Sequence, residues 1–255
     1  MASEDRFGFE WRRYSKICPD YELQFTQWVH PLRPEDFKGK KVLDAGCGIG
    51  RNSYWSIKWG AREVVAFDFD QRSVSEAKNN LSQFPNARVE FSSIYDIRWD
   101  NEFDLVFSIG VMHHLKKPKV AIVNLAKSLK SQGKLLIWVY SYEGNEWIVR
   151  FIDPIRKRIT SKLPVGLVHS LSYFFSVPLW VFVKLFNGPT LYLKQLSKFE
   201  FWHIHSIVFD QLIPEVVNYW KKDEVLELFK DIDFLKIEAY RPLNNCGWTI
   251  RGIKK

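Results

Sequence analysis

The sequence predicts an α/β fold: a doubly wound, mostly parallel sheet of seven strands, with an antiparallel edge strand and a helical insertion. Three observations predict it. The apolar strand Val42-Leu43-Asp44-Ala45 runs into the glycine-rich turn Gly46-Cys47-Gly48-Ile49-Gly50, and a helix follows. Strand-length apolar runs then alternate with helix-length segments as far as Tyr140, the pattern of repeated strand–helix–strand units. The run Phe103-Asp104-Leu105-Val106-Phe107-Ser108 is almost continuously apolar, as a central parallel strand buried on both faces must be.

Residues 1–37 read as an N-terminal helical cap. Met1–Glu10 is charged and carries no secretory signal. Phe25 and Trp28, at i and i+3, predict an amphipathic helix that either covers the cleft or packs on the sheet edge. Residues 38–146 read as the core. Its first strand is Lys41–Asp44. The glycine turn after it lets the backbone reverse and lets a ligand approach where a Cβ would stand. The next helix, about Asn52–Trp59 and closed by Gly60, directs free N–H groups at the turn. Asp44 attracts a cationic group and the helix start favours a carboxylate, so a zwitterion beside a nucleoside suits this place.

Strand 2, Glu63–Phe67, ends at Asp68. A strand-end acid roughly 20 residues past such a turn can accept from two vicinal ribose hydroxyls. Helix capping is its competing role, but Asp70 and Ser73 are better placed to cap a helix over 71–83. Strand 3 is Arg88–Ser92. Strand 4 continues into Ile109-Gly110-Val111-Met112-His113-His114-Leu115, so two histidines stand where a doubly wound sheet places its chemistry. One of them is expected to touch substrate, with His113 preferred, and the other to pack. A helix over 118–131 opens at Pro118 and is ended by Gly133. Strand 5 is Lys134–Tyr140, followed by the loop Ser141–Glu146.

Residues 147–215 interrupt the pattern as a helical insertion. Ile155–Lys162 is basic, and Val165–Val183 is apolar or small, without formal charge and broken by Pro178. A lid on the cleft, a helix lying on an anionic membrane and a true span are the three readings of that stretch. Residues 216–255 return to the core with a helix over Lys221–Phe229, a strand Phe234–Tyr240 and a last strand at about Gly247–Ile253.

The Asp44–Gly50 pattern resembles motif I of class I S-adenosylmethionine (SAM)-dependent methyltransferases, and the resemblance covers about 40–140 and 220–253. It implies a Rossmann-like fold, SAM as cofactor, S-adenosylhomocysteine as product and no metal. It also implies cofactor contacts from Asp44, Gly46, Gly48, Gly50 and Arg51 at the turn. Further along, it implies Asp68 on the ribose and Phe69 against the adenine. Ser93 and Ile94 stand where the family often has an Asp, and Ser108 and Ile109 end strand 4. His113 and His114 are the candidate bases, and Tyr14, Tyr142 and Tyr219 the candidate substrate contacts.

The net charge of +8 and pI near 9.3 admit nucleic acid, an anionic membrane or an acidic substrate. Ser108-Ile109-Gly110-Val111 is not the Asn/Asp-Pro-Pro-aromatic segment of base-amino methyltransferases, which makes nucleic acid the weaker expectation. The leading expectation is O- or C-methylation of a small apolar or amphiphilic acceptor, lipid-linked as the first guess. A nucleic-acid methyltransferase and a non-catalytic SAM-binding protein are the alternatives. A nicotinamide enzyme is disfavoured because Arg51 stands one residue past a glycine pattern already too short. Cys18, Cys47 and Cys246 are scattered, which suits a reducing cytosol, and the basic flank and apolar stretch of the insertion admit peripheral contact with an anionic membrane. Oligomeric state is not encoded in any of these features.

Overall fold

The computed structural model describes residues 3–186, 188–242 and 246–255, the side chains of residues 3–5 excepted. Seven strands form one sheet: β1 (Lys41–Ala45), β2 (Glu63–Asp68), β3 (Ala87–Phe91), β4 (Phe103–Ile109), β5 (Leu129–Tyr140), β6 (Phe234–Tyr240) and β7 (Gly247–Lys254). Their order is β3-β2-β1-β4-β5-β7-β6. Strands β1 to β5 pair in parallel, and β7 runs antiparallel to both β5 and β6. The chain moves outward from β1 to β3 and then returns to place β4 on the other side of β1. That reversal opens a crevice beyond the carboxyl ends of β1 and β4, where open α/β sheets bind ligands.

Successive strand residues point to opposite faces, so a sheet covered on both sides needs apolar residues at every position. Leu43, Val65, Val106 and Ile137 pack on one face, against Ala121, Ile122 and Leu125 of α6 (Pro118–Ser128) and Val225 of α11 (Lys222–Glu227). Their neighbours Val42, Val64, Leu105 and Leu136 pack on the other, against Phe25 and Val29 of α2 (Tyr21–Val29) and Phe37 of α3 (Pro34–Phe37). Between these strands lie α4 (Arg51–Lys58) and α5 (Gln71–Leu81). The expected helix over 118–131 stops at Ser128. Gly133 sits inside β5, beside Gln132 at φ +62°, where the pairing of β4 with β5 shifts register. Backbone pairing with β4 captures residues that a glycine signal alone assigns to a helix end.

Asp70 caps α5: its carboxylate accepts from the amides of Arg72 at 2.8 Å and Ser73 at 3.2 Å. Asp70→Ala should therefore cost about 1 kcal/mol of stability, read from the urea midpoint.

Most of 147–215 is helical: a five-residue π-helical turn (Ile148–Ile152), α7 (Asp153–Arg158), α8 (Val165–Phe186), α9 (Leu191–Leu196) and α10 (Phe201–Asp210). Val168 of α8 packs on Phe209 of α10, and Val183 on Leu196 and Ile204. This unit is tied to α1 (Ser3–Arg13) by two buried side chains. Arg6 donates to the carbonyls of Thr160, Leu163 and Ile213, and Glu10 accepts from the Ser206 hydroxyl at 2.7 Å.

Candidate active site

Every part of the site hangs on the crevice between β1 and β4. The turn after β1 is held by the second strand: the amides of Gly46 and Cys47 both donate to the Phe67 carbonyl at 2.9 Å. Gly46 has φ +77°, and a Cβ there would lie 2.4 Å from Val111 Cγ2, so β4's exit and β1's turn approach as closely as they do only through glycine. Gly48, at φ +54°, donates its amide to Asp68 Oδ2 at 2.9 Å. The amide of Gly50 goes to the Cys47 carbonyl. The amides of Gly46, Cys47, Gly48 and Gly50 are therefore taken up inside the fold. Positive charge comes instead from Arg51. Its guanidinium lies 5.3 Å from the ring of Trp11, 5.3 Å from Tyr21 and 5.0 Å from Trp28, held among three aromatic faces.

A cavity of about 1100 Å³ opens in front of this turn. That is at the upper end of the ~300–1,000 Å³ usual for ligand pockets, with room for a cofactor and an acceptor together. One end is walled by Asp68, Phe69, Ser93 and Ile94. Asp68 Oδ1 accepts from the Asp70 amide at 2.9 Å, so each carboxylate oxygen already holds one N–H and keeps a second lone pair. Phe69 presents a half-exposed ring stacked on Phe91. Trp11 of α1 covers the turn, 3.5 Å from where a Gly48 Cβ would stand, whereas α2, the helix of Phe25 and Trp28, packs Phe25 on the sheet and sets Trp28 on the cavity wall.

The other end is polar at its base and apolar at its rim. Tyr140, at the end of β5, donates its hydroxyl to Asp210 Oδ2 at 3.1 Å and accepts from Gln211 Nε2 at 3.1 Å. Tyr219 donates to Gln211 Oε1 at 3.2 Å, and Arg156, ion-paired with Asp153, donates to the Gln211 carbonyl at 3.1 Å. Glu10 completes the wall, fully buried, with Oε2 unpartnered. Burial raises Asp210 to about 6, the Tyr140 hydrogen bond opposing. Burial, then the charge of Asp210, raises Glu10 well above its ordinary value. His114 donates Nδ1–H to the Val216 carbonyl at 2.9 Å, which leaves Nε2 as an acceptor. Burial lowers His114 to about 4.

The comparisons with known proteins agree with this geometry. Residues 42–133, which carry β1 to β4 and the turn, match the methyltransferase domain family. The chain carries a class I SAM-dependent methyltransferase domain. A tRNA U34 carboxymethyltransferase of Alteromonas mediterranea is 31% identical over 120 residues, covering 44% of this chain and 36% of that protein. A mitochondrial ubiquinone biosynthesis O-methyltransferase of Dictyostelium discoideum is 28% identical over 148 residues, covering 52% and 44%. The chain thus spans less than half the length of these relatives. Among solved structures, magnesium protoporphyrin IX methyltransferase of Synechocystis, with bound S-adenosylhomocysteine, superposes with a TM-score of 0.60 at 14% identity, over 96% of this chain and 93% of that one. That likeness is one of fold.

Against the methyltransferase domain's cavity, the residues singled out from the sequence divide. Gly46, Gly48, Arg51, Asp68, Phe69, Ser93, Ile94, Ile109, His114 and Tyr219 stand on its wall. His113 does not, and the preference for it over His114 is corrected. Its ring is fully buried under Tyr140, stacked at 4.0 Å, and Nδ1 accepts weakly from the Tyr140 amide at 3.4 Å. The short 3-10 turn Met112–His114 rotates adjacent residues apart, so only one of the pair can face the cleft. Ser108 is also inside the sheet, donating to the Ala45 carbonyl at 2.8 Å and bracing β4 on β1. Tyr14 binds His169 at 2.9 Å within the insertion, and the Tyr142 ring lies under Lys221; neither lines the cavity. Glu10, Tyr140, Asp210 and Gln211 were not singled out. Asp210 and Gln211 fall near the end of the insertion, and no spacing in the sequence ties them to Tyr140 at the end of β5.

Asp44 lies beneath the turn, fully buried, and accepts from the Ser53 hydroxyl at 2.6 Å while Oδ1 has no partner. Burial, with the charge of Asp68 adding to it and the Ser53 hydrogen bond opposing, pushes its carboxyl up from 3.8 to about 7. An acid whose folded pKa is raised binds more protons folded than unfolded, so its contribution is lost as pH rises through the folded value. The domain should therefore lose about 1 kcal/mol between pH 6.5 and 8 on account of Asp44. Asp44→Asn should flatten that limb in urea titrations of the ligand-free protein at the two pH values.

Proposed function

We propose that the chain transfers a methyl group from SAM to an oxygen or carbon of a small amphiphilic acceptor. One observation carries this reading: a single cavity runs from the Asp68 end, fitted to a nucleoside, to a buried acid–tyrosine base at Asp210 and Tyr140. When bound, SAM supplies a methyl on a sulfonium whose leaving group is neutral, so the protein's work is orientation, water exclusion and proton acceptance. Asp68 takes the ribose hydroxyls, the Phe69 ring faces the adenine, and Ser93 and Ile94 border its edge. Arg51 meets the carboxylate of the methionine moiety.

For a hydroxyl acceptor, Asp210 is the base. A general base works best with a pKa near the operating pH. Asp210 at about 6 meets that condition better than His114 at about 4. His114 then holds the acceptor through its Nε2 lone pair, and Tyr219 borders the acceptor on the opposite wall. The rim around it is apolar, with Leu179, Leu191, Leu193, Ile148 and Trp147, which favours an acceptor carrying a hydrocarbon part. A lipid-linked molecule at the inner surface of a membrane fits these features. The scattered placing of Cys18, Cys47 and Cys246, with no paired spacing, supports a reducing, cytoplasmic setting.

A second reading, tRNA modification, is favoured by the names of several relatives. Against it, Glu10 and Asp210 set acidic groups on the acceptor wall, where a nucleotide would bring phosphate. Incubation with methyl-labelled SAM and a cell extract tests both. Label in the organic phase is the expected result. Label confined to RNA, with retention on immobilised tRNA that falls with salt, would replace the first reading by the second.

A further inference from the structure

Helix α8 is built inside out. Its buried residues, Val168, His169, Ser172, Ser176 and Val183, recur at helical spacing, and three of the five are polar. Ser176 and His205 of α10 share a hydrogen bond of 2.6 Å, and His169 approaches His205 at 3.3 Å. The outer face carries the apolar bulk: Phe174 (77% exposed), Phe182, Leu185 (71%) and Phe186. A helix of a water-facing lid has the opposite polarity. Among the described residues it is the one helix long and apolar enough to cross a membrane, and only 22% of its most apolar window is buried. A span would tear Ser176 and His169 from α10 and set them in lipid, so the contacts favour a helix lying flat.

The charge around this face has one sign. Residues 154–199 contain no Asp or Glu, whereas Arg158, Lys162, Lys194 and Lys198 are exposed on the segments before and after α8. Lys184, on α8 itself, is exposed too, its ammonium donating to the Ser197 carbonyl. On the insertion side, Trp147 (58% exposed), Phe175 on α8 and Leu191 just after it are both exposed and part of the cavity wall, as Phe69 and Tyr95 are at the Asp68 end. The end of the cavity nearest the insertion therefore opens at the edge of the apolar face.

We propose that the outer face of α8 and its basic flanks dock on an anionic bilayer, with the cavity mouth at Trp147, Phe175 and Leu191 turned to the lipid so that the acceptor enters from it. The apolar side chains lie in the boundary between headgroups and acyl chains, and the lysines and Arg158 meet the headgroups. The entry route deepens the reading of a lipid-linked acceptor and rests on it. The docking itself requires no acceptor.

The test is flotation of the full chain with vesicles of phosphatidylcholine, alone and mixed with phosphatidylglycerol. The chain should float with the mixed vesicles at low salt and about tenfold less with the neutral ones. Phe174→Glu with Leu185→Glu should weaken flotation about tenfold while affinity for S-adenosylhomocysteine holds, since neither residue lines the cavity. Lys162→Glu with Lys198→Glu should abolish the preference for anionic vesicles. Brominated phosphatidylcholine should quench tryptophan emission, and Trp147→Phe should remove part of that quenching. A wild-type chain that stays in the dense fraction, or a Phe174/Leu185 variant that floats like it, overturns the docking. Quenching unchanged by Trp147→Phe overturns the entry route. Resistance of the bound chain to alkaline carbonate would show a span and overturn the flat helix. Each outcome is independent of methyl transfer, so loss of the docking leaves the proposed activity standing.

Discussion

Asp68→Ala should raise the dissociation constant for S-adenosylhomocysteine by about two to four orders of magnitude. The carboxylate stands on the cavity wall with one amide on each oxygen, from Gly48 and Asp70, and a lone pair left on each. Two charge-assisted bonds to vicinal hydroxyls, at about 1.5–3 kcal/mol each, give the range. The variant also releases the Gly48 amide, so it loosens the turn it faces. Asp68→Asn keeps one accepting oxygen and should fall between the two. Calorimetry at neutral pH reads all three. An alanine variant that binds within threefold of wild type would remove Asp68 from the ribose subsite. Helix α5 should keep its cap, because Asp70, not Asp68, supplies it.

Asp210→Asn should lower methyl transfer to a hydroxyl acceptor by about 10²–10⁴ with cofactor affinity unchanged. The amide keeps an oxygen for the Tyr140 hydroxyl, so the hydrogen-bonded wall survives and only the proton acceptor is lost. The pH profile carries the distinction. In the wild type, turnover should rise as pH increases through about 6, as Asp210 loses its proton. That limb should be absent from the variant's residual activity. His114→Gln should cost less, about tenfold, because an imidazole held near 4 contributes contact rather than basicity. A limb that persists in Asp210→Asn and vanishes in His114→Gln would transfer the base to the histidine. Equal loss of turnover and cofactor affinity in Asp210→Asn would mark a structural role.

Several parts of this protein were legible in order along the chain. A strand, its glycine turn and its helix are contiguous, so Val42–Gly50 announces itself. Asp68 is legible for the same reason: it ends the next strand, and parallel pairing of Asp44 with Ala66 brings its carboxylate to the turn. Buried strands show as unbroken apolar runs because neighbouring residues serve opposite cores, as Val42 and Leu43 do.

Tertiary structure alone decided the end of the cavity walled by Tyr140 and Asp210. Whether His113 or His114 faces the cleft depends on a 3-10 turn whose rotation no periodicity reveals, and on Tyr140, which claims the buried ring from another strand. The acidic wall joins Glu10 of α1 to Asp210 of α10 across two hundred residues of sequence, so neither carries a local sign of the other. Gly133 was misplaced because pairing with β4 outweighs the preference of a short segment. The helix at Val165–Phe186 shows the same division. Its length and apolar composition stand in the sequence. Which face is buried was settled by Ser176, His169 and His205, because small polar side chains that satisfy one another pack more closely than the bulky rings they displace to the surface.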